Sequence, residues 1–394
     1  MDYINLFHIC KQHTISGRYI HLKHIEPLLL SDNRRRQTSI IGHSVLGKPI
    51  YKYVFGTGKT KILMWSQMHG NESTTTKAVF DMLNFFELDN DFVYEIFERF
   101  TIYIVPILNP DGAELYTREN AKGIDLNRDA LDLSQPESRI LNELFHAFKP
   151  DFCYNLHDQR TIYGVGNSIL PATVSFLAPA YDEAREFNVS RNAAVSIICK
   201  MNQELQKHIP NQVGRFDDGF NPNCVGDSFQ MCGVPTILFE AGHFPEDYDR
   251  EETRKYIFIA LLTSFKTISD NDIVDICIDE YIKIPLNNTR FLDIIYKNVK
   301  LNYDNSIITT NFAAQYYEKL IINKIVFLAY IEKIGDLDNY LGHAEYDLEC
   351  ELYKDDFLNY PVIGQKANFF LTNGTNIVNG LHIKNRLRPK GDNL

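Results

Sequence analysis

Apolar residues along the chain follow two periods. Runs of alternating or continuous apolar positions at 61–66, 100–107, 151–157 and 236–240 predict buried strands, and residues 37–56 read as two more strands joined by a Gly-containing turn. Spacings of three and four predict helices between them. In 73–86, Ala78, Val79, Met82, Leu83 and Phe86 share one face of an amphipathic helix; 136–148, with Ser134 as N-cap, 191–208 and 250–265 are further helices. The NPDG after the 100–107 strand is a turn signal. Strands alternating with helices predict an α/β/α sandwich around a mixed, largely parallel sheet. Ligand chemistry in such sheets gathers where strands end at their carboxyl edge. His69, Asn109, His157 and Glu240 each fall at or just after such an end.

Beyond about residue 270 the texture changes to Tyr, Ile and Asn with short β-like runs (322–331, 367–371) and turn signals NNT, TNGT and VNG. The expected division is a catalytic α/β domain over 1–270 and a smaller β-rich domain over 271–394, of unknown role and without a reactive constellation. The terminal RLRPKGDNL reads as a loose tail.

Composition narrows the class. With 44% apolar and 23% charged residues the chain resembles ordinary soluble proteins, and a net charge of −11 opposes general nucleic-acid binding, which needs a basic surface. No stretch approaches the roughly 18 to 20 apolar residues that span a bilayer, so no membrane partner is expected. The N-terminus lacks the apolar core and cleavage site of a secretory signal. Seven scattered cysteines with no CxxC pair suit reduced thiols, and Cys153 and Cys199 lie in apolar runs as core residues. The expected address is the cytoplasm. Oligomeric state is not written in the sequence.

His69 and Glu72, three residues apart in HGNE, suit a nearby pair of zinc ligands, with His157 of NLHDQ as the distant third and one position left for water. Taken alone they read more simply as polar loop residues, and Glu240 as a salt-bridged strand end. Between them, residues 109–129 (NPDGAELYTRENAKGIDLNRD) carry Arg118, Asp125, Asn127 and Arg128 in a glycine-punctuated loop, and a guanidinium fork suits a carboxylate.

HGNE, NPDG…TREN…GIDLNRD, NLHDQ and TILFEAGH, in that order over residues 35–268, closely resemble the zinc metallocarboxypeptidases of the carboxypeptidase A type. The resemblance implies one zinc per chain on His69, Glu72 and His157, and Glu240 as general base toward the zinc-bound water. It implies Arg118 as oxyanion stabiliser, Asn127 and Arg128 as the grip on the substrate's terminal carboxylate, and Asp125 as the carboxylate that orients His69. The implied function is removal of C-terminal residues from peptides. The alternative is a related zinc amidohydrolase or deacylase acting on N-acyl amino acids or small cell-wall peptides; a third possibility is a non-catalytic scaffold with a vestigial site. Three departures stand out. Asn71 precedes Glu72 where the digestive members have arginine. The stretch RFDDGFNPNCVGDSFQ offers Phe216 and Phe220 but no counterpart of the family's mobile tyrosine. No signal or inhibitory pro-segment is evident. Asp217, Asp218 and Asp227 in that stretch would suit a basic terminal residue, although solvated loop carboxylates are the simpler reading.

Overall fold

The computed structural model describes residues 1–31, 36–271, 273, 278–304 and 306–383. The expected loose tail and Cys277 lie outside them. The chain forms two compact units, Met1–Thr289 and Arg290–Leu394.

Among its described residues the first unit holds ten strands: β1 (Arg36–His43), β2 (Pro49–Phe55), β3 (Thr60–Ser66), β4 (Phe100–Val105), β5 (Phe152–Asp158), β6 (Tyr163–Val165), β7 (Val174–Leu177), β8 (Val213–Arg215), β9 (Thr236–Ala241) and β10 (Asn287–Thr289). Its helices are α1 (Tyr3–Cys10), α2 (Leu22–Leu29), α3 (Thr74–Phe85), α4 (Asp91–Arg99), α5 (Pro110–Leu115), α6 (Pro136–Phe148), α7 (Val189–Leu205), α8 (Val225–Met231), α9 (Glu251–Ser269) and α10 (Ile278–Ile282). Eight strands build one sheet in the order β1-β2-β4-β3-β5-β9-β7-β8. Its centre, β4-β3-β5-β9, is parallel, while β1, β2 and the β7–β9 pairing are antiparallel. The predicted mixed, largely parallel sheet is therefore present.

Both faces of the central strands are covered, which is why β3 reads as a continuous apolar run rather than an alternation. Ile62 and Met64 face one way with Tyr154, Leu156, Ile237 and Phe239, packed under α1, α3, α7 and α9. Leu63 and Trp65 face the other way with Cys153, under Leu141 and Phe145 of α6 and Phe229 of α8. The chain leaves β3 for β4 on one side and later returns to β5 on the other. The strand order thus reverses between β3 and β5, the switch point where open α/β sheets form crevices.

Three local expectations need correction. The NPDG turn is the start of α5, with Asn109 as N-cap accepting from the Gly112 N–H at 2.9 Å and Pro110 in the first turn, where its missing donor costs nothing. Gln135, not Ser134, occupies the N-cap of α6; Ser134 instead donates to Asp129 Oδ1 at 2.7 Å. Helix α3 is not one-sided: its polar residues Lys77 and Asp81 are as buried as its apolar ones. Arg254 of α9 grips Asp81 through Nε at 2.6 Å and Nη2 at 2.5 Å, and Lys77 Nζ bonds Glu251 at 2.6 Å.

The second unit is β-rich. Strands β11 (Phe291–Tyr303), β12 (Ser306–Ile321), β13 (Lys324–Gly335) and β14 (Leu341–Asp347) form one sheet; β15 (Tyr353–Lys354), β16 (Phe369–Leu371), β17 (Asn376–Val378) and β18 (Leu381–Ile383) form another. Tyr296, Phe312, Tyr353 and Phe369 pack at its core. The NNT stretch, expected as a turn there, is β10 of the first unit, paired with β6.

Candidate metal centre and its cavity

The switch point explains the placing of HGNE. After β3, Gln67 takes a left-handed conformation, and its amide donates to the carbonyls of Gly70 at 2.8 Å and Ile20 at 2.7 Å, fixing the loop. Gly70 lies so close to the start of α5 that a Cβ would sit 2.0 Å from the Gly112 carbonyl carbon, so no other residue fits. Helix α3 then begins without a cap from its own side chains. Asp158, from the end of β5, accepts the Thr74 N–H at 2.9 Å and the Thr75 N–H at 3.2 Å. One contact thus ties the β5 end to the α3 start and brings His157 to Glu72.

His69, Glu72 and His157 converge. His69 Nδ1 lies 2.8 Å from Glu72 Oε1, and His157 Nδ1 lies 2.8 Å from Glu72 Oε2 and 3.1 Å from His69 Nδ1. The Asp158 N–H donates to Glu72 Oε2 at 3.1 Å. On the far side of the ring, His69 Nε2 meets Asp125 Oδ1 at 2.9 Å, the contact expected of an orienting carboxylate. Asp125 also receives Arg118 through Nε at 3.1 Å and Nη2 at 3.0 Å, while Arg118 Nη1 reaches Glu72 Oε1 at 3.1 Å.

Glu240 stands beside His157 because β5 and β9 are parallel neighbours with these two residues in register. Its Oε2 is sealed from solvent and has no hydrogen-bond partner. Burial and the charges of Glu72 and Asp158 push its carboxyl well above the ordinary range. Glu72 goes the opposite way: burial opposes ionisation, but the two imidazoles outweigh it and hold the carboxyl well below its usual range. His69 is raised because Glu72 and Asp125 overcome burial, whereas for His157 burial wins and the pKa falls. Two carboxylates in one site are thus driven apart, Glu72 toward the charged form that a metal ligand needs and Glu240 toward holding a proton.

These groups line a cavity of about 390 Å³ with Arg118, Asn127 and Arg128 at its rim. Asn127 is half committed, since its Oδ1 accepts the Val225 N–H at 3.0 Å. Arg128 is exposed, its Nη1 held by the Asn127 carbonyl at 2.7 Å and Cys224 Sγ at 3.0 Å. His69, Glu72, Arg118, Asn127, Arg128, His157 and Glu240 therefore border this one space and Asp125 buttresses it, whereas Asn109 caps α5 and Asp218 pairs with Arg191. Three further lining residues bear on the chemistry and were not singled out one by one. Tyr163, on β6, sets its ring edge-on to Phe216 with centroids 5.2 Å apart, so the cavity has a phenol from outside the 215–230 stretch. Cys224 touches Arg128, a contact no spacing rule reveals. Asn155 is buried, two residues before His157 and hence on the same side of β5, a position the strand period does flag.

The donor set fits a metal ion. Among the described residues, His69, Glu72 and His157 are the single group of metal-type ligands, with one ligand atom from each lying within 4.8 Å of the others. Two imidazoles and a carboxylate match hydrolytic zinc sites, and the Asp125 bond fixes His69 with Nδ1 turned inward.

Residues 24–163 match the sequence family described as zinc carboxypeptidase. That stretch, about a third of the chain, is similar to zinc carboxypeptidase domains. Over 100 residues it is 30% identical to carboxypeptidase 2 of Trichophyton rubrum, covering 25% of this chain and 19% of that protein. Over 103 residues it is 29% identical to gamma-D-glutamyl-L-diamino acid endopeptidase 1 of Lysinibacillus sphaericus, covering 22% of this chain and 26% of that protein. The chain thus spans about a fifth to a quarter of these curated relatives. The crystal structure of a metallo-carboxypeptidase from Burkholderia cenocepacia superposes with a TM-score of 0.51 at 18% identity, over 65% of this chain and 70% of that one. That likeness shows the carboxypeptidase fold, and no helix here is long and apolar enough to cross a membrane among the described residues.

Proposed function

We propose that the chain is a zinc-dependent carboxypeptidase that hydrolyses the C-terminal peptide bond of peptides. The observation carrying this reading is the convergence of His69, Glu72 and His157 beside an unpaired Glu240, with Arg128 at the rim of the same cavity. His69, Glu72 and His157 would hold one zinc ion, which supplies a Lewis acid for the scissile carbonyl and an acidified water. Glu240, beside His157 with Oε2 unpaired, would take a proton from the attacking water and pass it to the leaving amine. Arg118, with guanidinium N–H groups beside Glu72 and an exposed flank, faces the carbonyl oxygen as it becomes negative. Arg128 and the free amide of Asn127 hold the terminal carboxylate, which restricts cleavage to chain ends. The cytoplasm is the setting this reading assigns.

Likeness to an endopeptidase named for gamma-D-glutamyl-L-diamino acid bonds favours a second reading, hydrolysis of small cell-wall peptides or acyl-amino acids by the same groups. Mass spectrometry of a peptide library, half with free and half with amidated C-termini, incubated with zinc-loaded protein, separates the two. Chelator-sensitive loss of single residues from free ends alone is the expected result. Intact peptides together with hydrolysis of acyl-amino acids would replace the first reading with the second.

A further inference from the structure

The cavity continues inward from the catalytic groups. Strand register places Asn155 beside Leu238, and Leu238 beside Leu177, one rung in from the rung of His157, Glu240 and Ser175. Two residues along a strand separate the rungs by about 6.6 Å. Above the inner rung Gly226 leaves room: a Cβ there would meet Pro179 Cγ at 3.3 Å and Asn155 Nδ2 at 3.6 Å. The carboxylate grip lies next door, since Arg128 touches Cys224 and Asn127 holds the Val225 N–H. A terminal residue held there would have its side chain directed past Gly226 toward Asn155.

Asn155 is 2% exposed, lines the cavity and has no hydrogen-bond partner for Oδ1. Leaving a buried acceptor unmade costs about 1 to 3 kcal/mol, a cost that a donor on a ligand removes. The other walls at this depth, Leu177, Pro179 and Leu238, are apolar. Of the three aspartates in the 215–230 stretch, Asp218 is taken by Arg191, and Asp217 accepts the Gly219 N–H at 2.8 Å. Asp227, buried and bordering the cavity next to Gly226, accepts the Asn221 N–H through Oδ1 at 3.1 Å and is the buried carboxyl at this depth that no cation among the described residues holds.

Resting on the carboxypeptidase reading, we infer that this inner rung is the pocket for the substrate's last side chain and selects a long apolar stem ending in a hydrogen-bond donor, lysine above all. A four-methylene stem runs along Leu177, Pro179 and Leu238, and its ammonium donates to Asn155 Oδ1 within reach of the Asp227 charge. The terminal carboxylate balances Arg128.

The test compares benzoyl-glycyl dipeptides ending in lysine, norleucine, glutamate or alanine, by turnover with zinc-loaded protein and by calorimetric binding to Glu240→Gln protein. Lysine is expected to exceed norleucine in kcat/KM by roughly tenfold or more, because a buried polar partner rejects an apolar isostere. Asn155→Leu should remove or reverse that preference. Gly226→Val, which narrows the pocket from the opposite wall, should suppress both long side chains and spare the alanine compound. Wild-type preference for norleucine or glutamate, or variants that shift all four compounds equally, would overturn the inference. Lysine-selective binding without turnover would keep the pocket and refute the peptidase reading. Turnover without lysine preference would do the reverse, and neither binding nor turnover would refute both.

Discussion

Two regions of the first unit bury charge, and they treat it in opposite ways. Between α3 and α9, Lys77, Asp81, Glu251 and Arg254 form a closed set: Asp81 receives two guanidinium bonds and the Gln12 N–H at 2.7 Å, and Arg254 also bonds the Ile15 and Gln12 carbonyls at 2.9 Å each. Across the sheet, in the cavity, Glu240 Oε2, His157 Nε2 and Asn155 Oδ1 are buried with no partner. Buried polar groups in folded proteins are nearly always paired, so the first region reads as scaffold and the second as a place kept for something else. Between these two clusters of ionisable groups, unmet polarity marks the difference more than charge itself.

The largest effect expected from breaking this contrast lies in the cavity. His157→Ala removes a ligand atom from a three-residue set, and zinc titrated by calorimetry should bind at least about 10²-fold more weakly, with hydrolysis lost alongside. Undiminished zinc affinity would mean the metal sits elsewhere. On the scaffold side, Arg254→Met leaves Asp81 buried and unpaired, at a cost of about 3 to 5 kcal/mol in denaturant unfolding, while activity per folded molecule is retained. Stability within 1 kcal/mol of wild type would show that the network is dispensable.

The same network sharpens the contrast through pH. Burial raises the Glu251 carboxyl, but Lys77, Lys11 and Arg254 outweigh it and bring it down to about 2. A folded-state pKa below the unfolded one contributes stability that is present above the ordinary carboxylate pKa and is lost as pH falls toward 2. Unfolding free energy should therefore decline between about pH 4.5 and 2, and Glu251→Gln should flatten part of that slope. The partial exposure of Glu251 keeps the effect to about 1 to 2 kcal/mol. A mutant slope identical to wild type would remove Glu251 from the acid response. The smallest effect concerns Asp158, which caps α3 with two oxygens; Asp158→Asn keeps one acceptor and should cost about 1 kcal/mol in thermal unfolding. A loss several times larger would mean that it also positions His157.

Much of this was legible in the sequence because the strands carrying the site are covered on both faces. Their mostly apolar runs at Ile62–Trp65, Cys153–Leu156 and Ile237–Phe239 mark them, and His69, His157 and Glu240, at or just beyond the carboxyl ends of those runs, are the ones that meet. Asp125 and Arg118 were legible only through resemblance, since nothing in a loop's own spacing places it beside His69. Helix α3 was misread as one-sided because the partners of Lys77 and Asp81 lie more than 170 residues away on α9. Local periodicity carries no trace of a partner that distant. The loops 159–175 and 215–232 read as sources of pocket lining, but Tyr163 and Cys224 did not stand out within them for a similar reason: β6 is held by β10, and Cys224 matters only through Arg128.

The contrast between paired scaffold and unpaired site is tested most directly by Glu240→Gln, with turnover and thermal stability measured on one preparation. The substitution keeps the shape and removes a carboxylate that burial, Glu72 and Asp158 all oppose. Turnover of free-ended peptides is expected to fall by about 10³-fold while the unfolding temperature holds or rises. Retained turnover with a lowered unfolding temperature would place Glu240 among the framework residues and contradict the account.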